Sequence, residues 1–439
     1  MTVAFPTLVI SRQPRHIGSG WHDARSWFGG QPQLGRQPWP RDAVRQIPFY
    51  FMAQIDLAEV WREIAASGMP WPDGALAFFI GPPADELDCA VVHVPRSELG
   101  EPTAPPPDAP AVFVVEGDMF PTSFDDDAPR LFSRWPVDIT ALDIRPPDVG
   151  ENADEDDIRE AEDKAQVDAV IRRFIRPPYA FKAYIMYKRL GDSIRKFWWH
   201  TAHHYVACLQ AGRRHTWVKL SRQGLERARE RLEHLRSAGV TVSVARSNEH
   251  AAEVKKAEDE VTKCEVRLAE IEQRAAEFER FVSEVVEWVP DTDPWELMPP
   301  EAIERLVSTF ERGQTAFGKY PRFHEPLDFD DLETETLKVL ATADDRAYAT
   351  MPEALRTKIN WQYIMPSTGC GWHQMFGRGV DIQGNAALEN EGNVMLLQLV
   401  YDDMMHWRFG DIGAFQFWIP PEDLANGNWA AVRLTFEGG

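Results

Sequence analysis

The chain has 439 residues, a length that suits two or three domains and excludes a small stapled fold. Hydrophobic residues make up 44% and charged residues 26%, so a large core can be buried, while no run approaches the roughly 18 uncharged apolar residues of a membrane-spanning helix. The net charge of −22 repels phosphate backbones and acidic lipid, which sets aside nucleic acid and membrane as partners and favours a basic protein.

The opening MTVAFPTLVI is apolar but lacks a basic n-region and a small-residue cleavage site. Cys89, Cys208, Cys264 and Cys370 are too few and too scattered for a disulfide framework or a zinc site. Reduced thiols in a cytoplasmic protein are expected. Residues 1–150 are rich in Pro, Gly and Trp, with strand-length apolar runs at Phe49 to Ile55, Ala75 to Ile80 and Ala111 to Val115. The proline-dense GEPTAPPPDAP predicts an exposed connection, since Pro removes donors from both helix and sheet.

After RPPDVGENADEDD, whose acidic run suits the first turn of a helix, a second segment occupies 151–300. Within Asn248 to Val289, the residues Val254, Ala257, Val261, Cys264, Leu268, Ile271, Ala275, Phe278, Val282 and Val285 recur at spacings of three and four, a heptad seam. Leu225, Ala228, Leu232 and Leu235 offer a shorter stripe, so a coiled-coil hairpin folding back across Ser237 to Ser247 is predicted. The seam must be covered by this hairpin or by a second copy, a homodimer through the insert. Further upstream, His200, His203 and His204 include an i, i+4 pair, the spacing of a metal site, but the acidic base is missing. With Trp198, Trp199 and Tyr205 interleaved, the stretch reads as a helix packing aromatics. No metal site and no cofactor are implied.

The third segment, 301–439, ends in strands that echo the first. FMAQIDLAEV followed by PDGALAFFIG is matched by MLLQLVYDD followed by FGDIGAFQFWIP, with Gln54 answering Gln398 and Gly74-Ala75 answering Gly413-Ala414. The echo predicts an internal duplication with strand pairs related by an approximate two-fold axis, interrupted by the helical insert. The runs SWFGGQPQLG, Trp39-Pro40, FYFMAQIDLAEV, WHQMFGRGVDIQG and WRFGDIGAFQFWI also resemble the YwqG-like family of bacterial domains of unknown function, over roughly residues 10–95 and 355–436. The resemblance implies an α+β fold of duplicated, curved antiparallel β-sheets and, through the polymorphic toxins some members neighbour, an immunity or binding role. It implies nothing about the insert.

His373, Gln374, Gln383, Asp402, Asp403 and Asp411 form the candidate polar pocket, with Gln54 and Asp56 as the counterpart in the first half. Imidazole and carboxylate could exchange protons while amides orient a substrate. The simpler reading has His373 and Gln374 satisfying buried backbone groups and the aspartates capping turns. No nucleophile elbow, Walker loop or G-x-G-x-x-G turn is present. The expected function is a protein-binding module, in its specific form an immunity protein against a basic toxin. The alternative is an enzyme acting on a small molecule through the pocket of the C-terminal half.

Overall fold

The computed structural model describes residues 5–18, 20–64, 73–82, 87–112, 129–144, 155–174, 198–211, 214–238, 247–319, 322–324, 329–364, 371–384, 386–407, 409–410 and 413–438. The chain divides into two compact units: residues 1–193 with 341–439, and residues 194–340. Among the described residues, no helix is long and apolar enough to cross a membrane.

The first unit is built on strands β1 (Leu8–Arg12), β2 (Trp27–Phe28), β3 (Tyr50–Asp56), β4 (Gly74–Ile80), β5 (Cys89–Pro95), β6 (Trp135–Ala141), β7 (Gln374–Met375), β8 (Val394–Val400), β9 (Ala414–Ile419) and β10 (Arg433–Glu437). They form one antiparallel sheet in the order β10-β9-β8-β7-β1-β6-β2-β3-β4-β5. The ends of the sheet approach each other, with the Cys89 thiol 3.7 Å from the Val432 carbonyl. Strands β3 and β4 are buried along their whole length, which is why they read as continuous apolar runs rather than alternating ones. The proline-dense 100–110 contains neither helix nor strand. Ala111 and Val112 are not in a strand, and the rest of that predicted run lies outside the described residues.

The duplication is written into the register. The β1–β6 pair is centred on Ser11↔Asp138, and exchanging the two strands about that point reproduces their other contacts. Leu8↔Met375 and Val9↔Gln374 become Trp135↔Phe28 and Pro136↔Trp27. A bulge interrupts β3 between Phe51 and Ala53, and another interrupts β8 at the equivalent place, between Met395 and Leu397. After β2, Gly29 and Gly30 adopt φ of 55° and 65°, and after β7, Phe376 and Gly377 adopt 57° and 68°. Phe376 therefore takes a left-handed conformation that a non-glycine residue adopts only when its surroundings impose it. Phe78 and Phe417, equivalent in the two halves, touch each other at 5.3 Å. The first strand of each half is exchanged: β1 pairs with β7 of the second half, and β6 with β2 of the first.

Helix α1 (Leu57–Ile64) follows β3 directly, opened by Asp56, whose Oδ1 accepts from the Ala58 N–H at 2.8 Å. Helix α2 (Glu155–Phe174) starts at the acidic run, as expected, and its Ala169 and Val170 pack on Val9 and Leu142 of the sheet unit.

The second unit contains α3 (Trp199–Gln210), α4 (Arg214–Ala238), α5 (Ser247–Trp288), α6 (Pro300–Phe317) and most of α7 (Phe329–Thr342). Helices α8 (Asp345–Thr350) and α9 (Glu353–Ile364) lie back in the first unit. At about 1.5 Å per residue, α5 is about 60 Å long. It packs antiparallel on α4, fixed in register by Arg222–Glu272, Arg229–Glu265, Arg231–Glu260 and Arg236–Glu258 pairs of 2.6–3.2 Å. These exposed pairs are worth at most about 1 kcal/mol each, so they select the register while apolar burial holds the helices together. Leu225, Ala228, Leu232, Ala257 and Ile271 are buried. The turn of the hairpin, 239–246, lies outside the described residues. The C-terminal part of α5 also supplies Phe278, Phe281, Val282 and Val285 to the core shared with α3 and α6.

Candidate functional site

His373 immediately precedes β7 and is buried. Its Nε2 lies 2.9 Å from Asp402 Oδ2, and its Nδ1 accepts the Val400 backbone N–H at 3.2 Å. These partners place the proton on Nε2, which donates to the carboxylate. Asp402 follows β8; its Oδ2 also meets the Arg12 guanidinium reaching from β1, and its Oδ1 takes the Met404 and Met405 N–H groups at 2.9 and 3.3 Å. The His373 ring is wedged edge-on between Phe28 at 4.8 Å and Trp407 at 5.4 Å. Burial pushes the His373 pKa down, partly offset by its bond to Asp402. Burial alone would raise that of Asp402, but Arg12, His373 and the Met404 N–H outweigh it and hold the carboxyl well below its usual range. The group is a neutral imidazole, a carboxylate and a guanidinium.

Gln374 is the next residue, so the pleat sends it to the opposite face. Its Nε2 donates to the Phe376 and Arg378 carbonyls at 3.1 and 2.7 Å, and its Oε1 accepts from Gln166 of α2 at 3.0 Å. Across the sheet, Gln398 of β8 accepts the Val380 N–H at 2.7 Å and the Gln416 amide at 3.0 Å. Gln416 of β9 donates to the Val380 carbonyl at 2.7 Å. Glu437 of β10 takes the N–H groups of Ile382, Gln383 and Ala386 at 3.0, 2.7 and 2.7 Å. One side chain from each of four successive strands thus holds the loop 376–386 by its backbone. Gln383 sits in that loop and its amide donates to the Gly438 carbonyl.

The candidates therefore separate: His373 and Asp402 meet, while Gln374 and Gln383 belong to the loop clamp. Nothing is described of the Asp403 side chain, and Asp411 lies outside the described residues. In the first half, Gln54 accepts the Gln33 N–H at 2.7 Å, as Gln398 does for Val380. Ser26 stands where His373 stands in the second half, taking the Asp56 N–H at 2.9 Å and donating to Glu59 at 2.6 Å. Asp56 is doubly bonded to Arg96, at 2.6 and 2.7 Å. Arg12, Gln416 and Glu437 were not singled out from sequence; Gln416, a polar residue inside the apolar run of β9, carried the one readable signal.

In the second unit, His200 stacks on Trp295 at 5.0 Å, and burial, aided by the neighbouring His204 and His203, pushes its pKa down to about 4. His203 Nε2 lies 3.0 Å from the Pro290 carbonyl. Among the described residues, no group of three or more His, Cys, Asp or Glu side chains is arranged to hold a metal ion.

None of the curated proteins matches this chain. The domain of unknown function DUF1963 matches residues 26–127 and 230–437, so eight of the ten strands and all of α5 fall within it, while β1 lies before the match and β6 within the interruption at 128–229. With more than half its residues matched on either side of that insertion, the chain belongs to the DUF1963 family.

Proposed function

We propose that the protein is a cytoplasmic protein-binding module whose partner is a basic protein, and that in its specific form it is an immunity protein that neutralises a basic toxin. One observation carries this reading over the enzymatic one: the polar cluster is saturated from within. Both nitrogens of His373 are engaged, one by a carboxylate and one by a backbone N–H, and both oxygens of Asp402 are engaged as well. A general base needs a free lone pair within reach of a substrate proton, and His373 offers none. The net charge of −22 supports a cationic partner, because a field of that sign steers and orients encounter with basic surfaces. Toxin neighbourhoods among the YwqG-like domains that the sequence resembles support the immunity form.

The test is titration calorimetry of the whole chain against the basic proteins encoded beside it, at low and high salt. Binding that weakens as salt is added is expected. Absence of any salt-sensitive partner contradicts the proposal.

A further inference from the structure

The negative charge is unevenly neutralised along the helical unit. Glu258, Glu260, Glu265 and Glu272 of α5 are each paired with an arginine of α4. From Glu284 to Glu304, by contrast, seven residues are acidic and none is Lys, Arg or His. Of these, Glu284 is paired with Arg312, while Glu287, Asp291, Asp293, Glu296, Glu301 and Glu304 are exposed and have no ion pair among the described residues.

The same stretch exposes apolar groups. Leu297 is 51% exposed and Val286 40%, and Trp288 and Trp295 are half-buried. Contacts with α3 gather Trp288, Trp295 and Leu297 at one corner: the Trp199 N–H donates to the Glu296 carbonyl at 3.1 Å, Leu297 bridges to Trp198, Trp295 stacks on His200, and Trp288 lies 6.3 Å from Trp199. The Trp288 ring already carries a cation, the Arg305 guanidinium 4.9 Å from its centroid. Apolar anchors beside acidic side chains that lack ion pairs are the anatomy of a docking surface for a cationic segment, with tryptophans as the usual energetic centres.

We infer that the corner formed by residues 286–304 and the start of α3 is the docking surface of this module, and that its occupant is a cationic polypeptide segment carrying apolar anchors. Charge complementarity selects that occupant: the acidic rim excludes an acidic or nucleic-acid partner, and Leu297 and the tryptophans give an apolar anchor a place to be buried. The inference rests on the protein-binding proposal and names the surface it uses.

The test measures fluorescence anisotropy of two labelled peptides with the full chain. One is Lys/Arg-rich with one Leu and one Trp; the other replaces those two residues by Ser. The wild type is expected to bind the anchored peptide about tenfold more tightly than the anchorless one. Combined Glu287→Lys, Asp291→Lys and Glu304→Lys changes should weaken both peptides about tenfold, whereas Leu297→Asp should abolish the preference for the anchor. The control reverses Glu253, Asp259 and Glu270 on the hairpin to Lys, the same change in net charge, and should weaken binding far less. Equal loss in the two triple variants, or no preference for the anchored peptide, overturns the surface. Either result leaves the protein-binding proposal standing if a neighbouring basic protein still binds in a salt-sensitive way; failure of that binding removes the proposal itself.

Discussion

A histidine with both nitrogens committed inside a fold has no proton to trade with a substrate, and His373 is in that position. Its folded pKa is lowered, so the folded chain holds the neutral ring where the unfolded chain takes up a proton. The stability this contributes is complete above the unfolded value of about 6.5 and is lost as pH falls from there toward the lower folded value. Nitrogen NMR across that range should find the His373 ring neutral, protonated at Nε2, throughout; a midpoint near the ordinary value contradicts the assigned bonding. Arg12→Ala leaves the Asp402 carboxylate buried without its cation and should cost about 3–5 kcal/mol in urea unfolding. Of this group, His373 and Asp402 were legible in the sequence, because polar residues stand out beside apolar strands. Arg12 was not, since it meets Asp402 across 390 positions and nothing local in LVISR marks it.

At the scale of elements, the hairpin divides into two parts that do different work. Its distal part, beyond the Arg229–Glu265 pair, buries little except its own seam, whereas Ile271, Phe278, Phe281, Val282 and Val285 on the proximal part of α5 belong to the core with α3 and α6. Excising 229–265 and joining the ends with a short Gly-rich turn should leave cooperative unfolding of both units by calorimetry. Phe278→Ala, with no part of the chain removed, should destabilise the helical unit by about 3–5 kcal/mol, because a fully buried ring leaves a cavity among other rings. Equal behaviour of the two variants would show the division is wrong. The heptad seam made α5 and its antiparallel partner readable, since period and apolar type coincide. What the seam could not reveal is that its second half faces more than one partner; a stripe records burial but not the neighbour that causes it.

On the scale of the whole molecule, the echo of Gln54 and Gln398 was legible because both amides do the same task, holding the backbone of the loop that follows a short strand. The exchange of β1 and β6 was not, because LVISR and WPVDITA share an edge-to-edge register rather than a motif. The helical unit carries an acid-sensitive histidine of its own, as the sheet unit does in His373. His200, in the helical unit, has its pKa lowered to about 4, so the stability it contributes is full above about 6.5 and declines from there to about 4. His200→Phe should flatten that decline in the transition of the helical unit without altering the sheet unit; an unchanged pH slope would contradict the buried, neutral ring. The proposal that this acidic chain acts by binding rather than by chemistry at His373 is decided by its association rate with a basic protein encoded beside it across ionic strength, measured for the wild type and for His373→Ala variants that remain folded. A rate that falls steeply with salt and is the same in both proteins is expected; a salt-independent rate, or loss of function in a folded His373→Ala protein, would contradict the proposal.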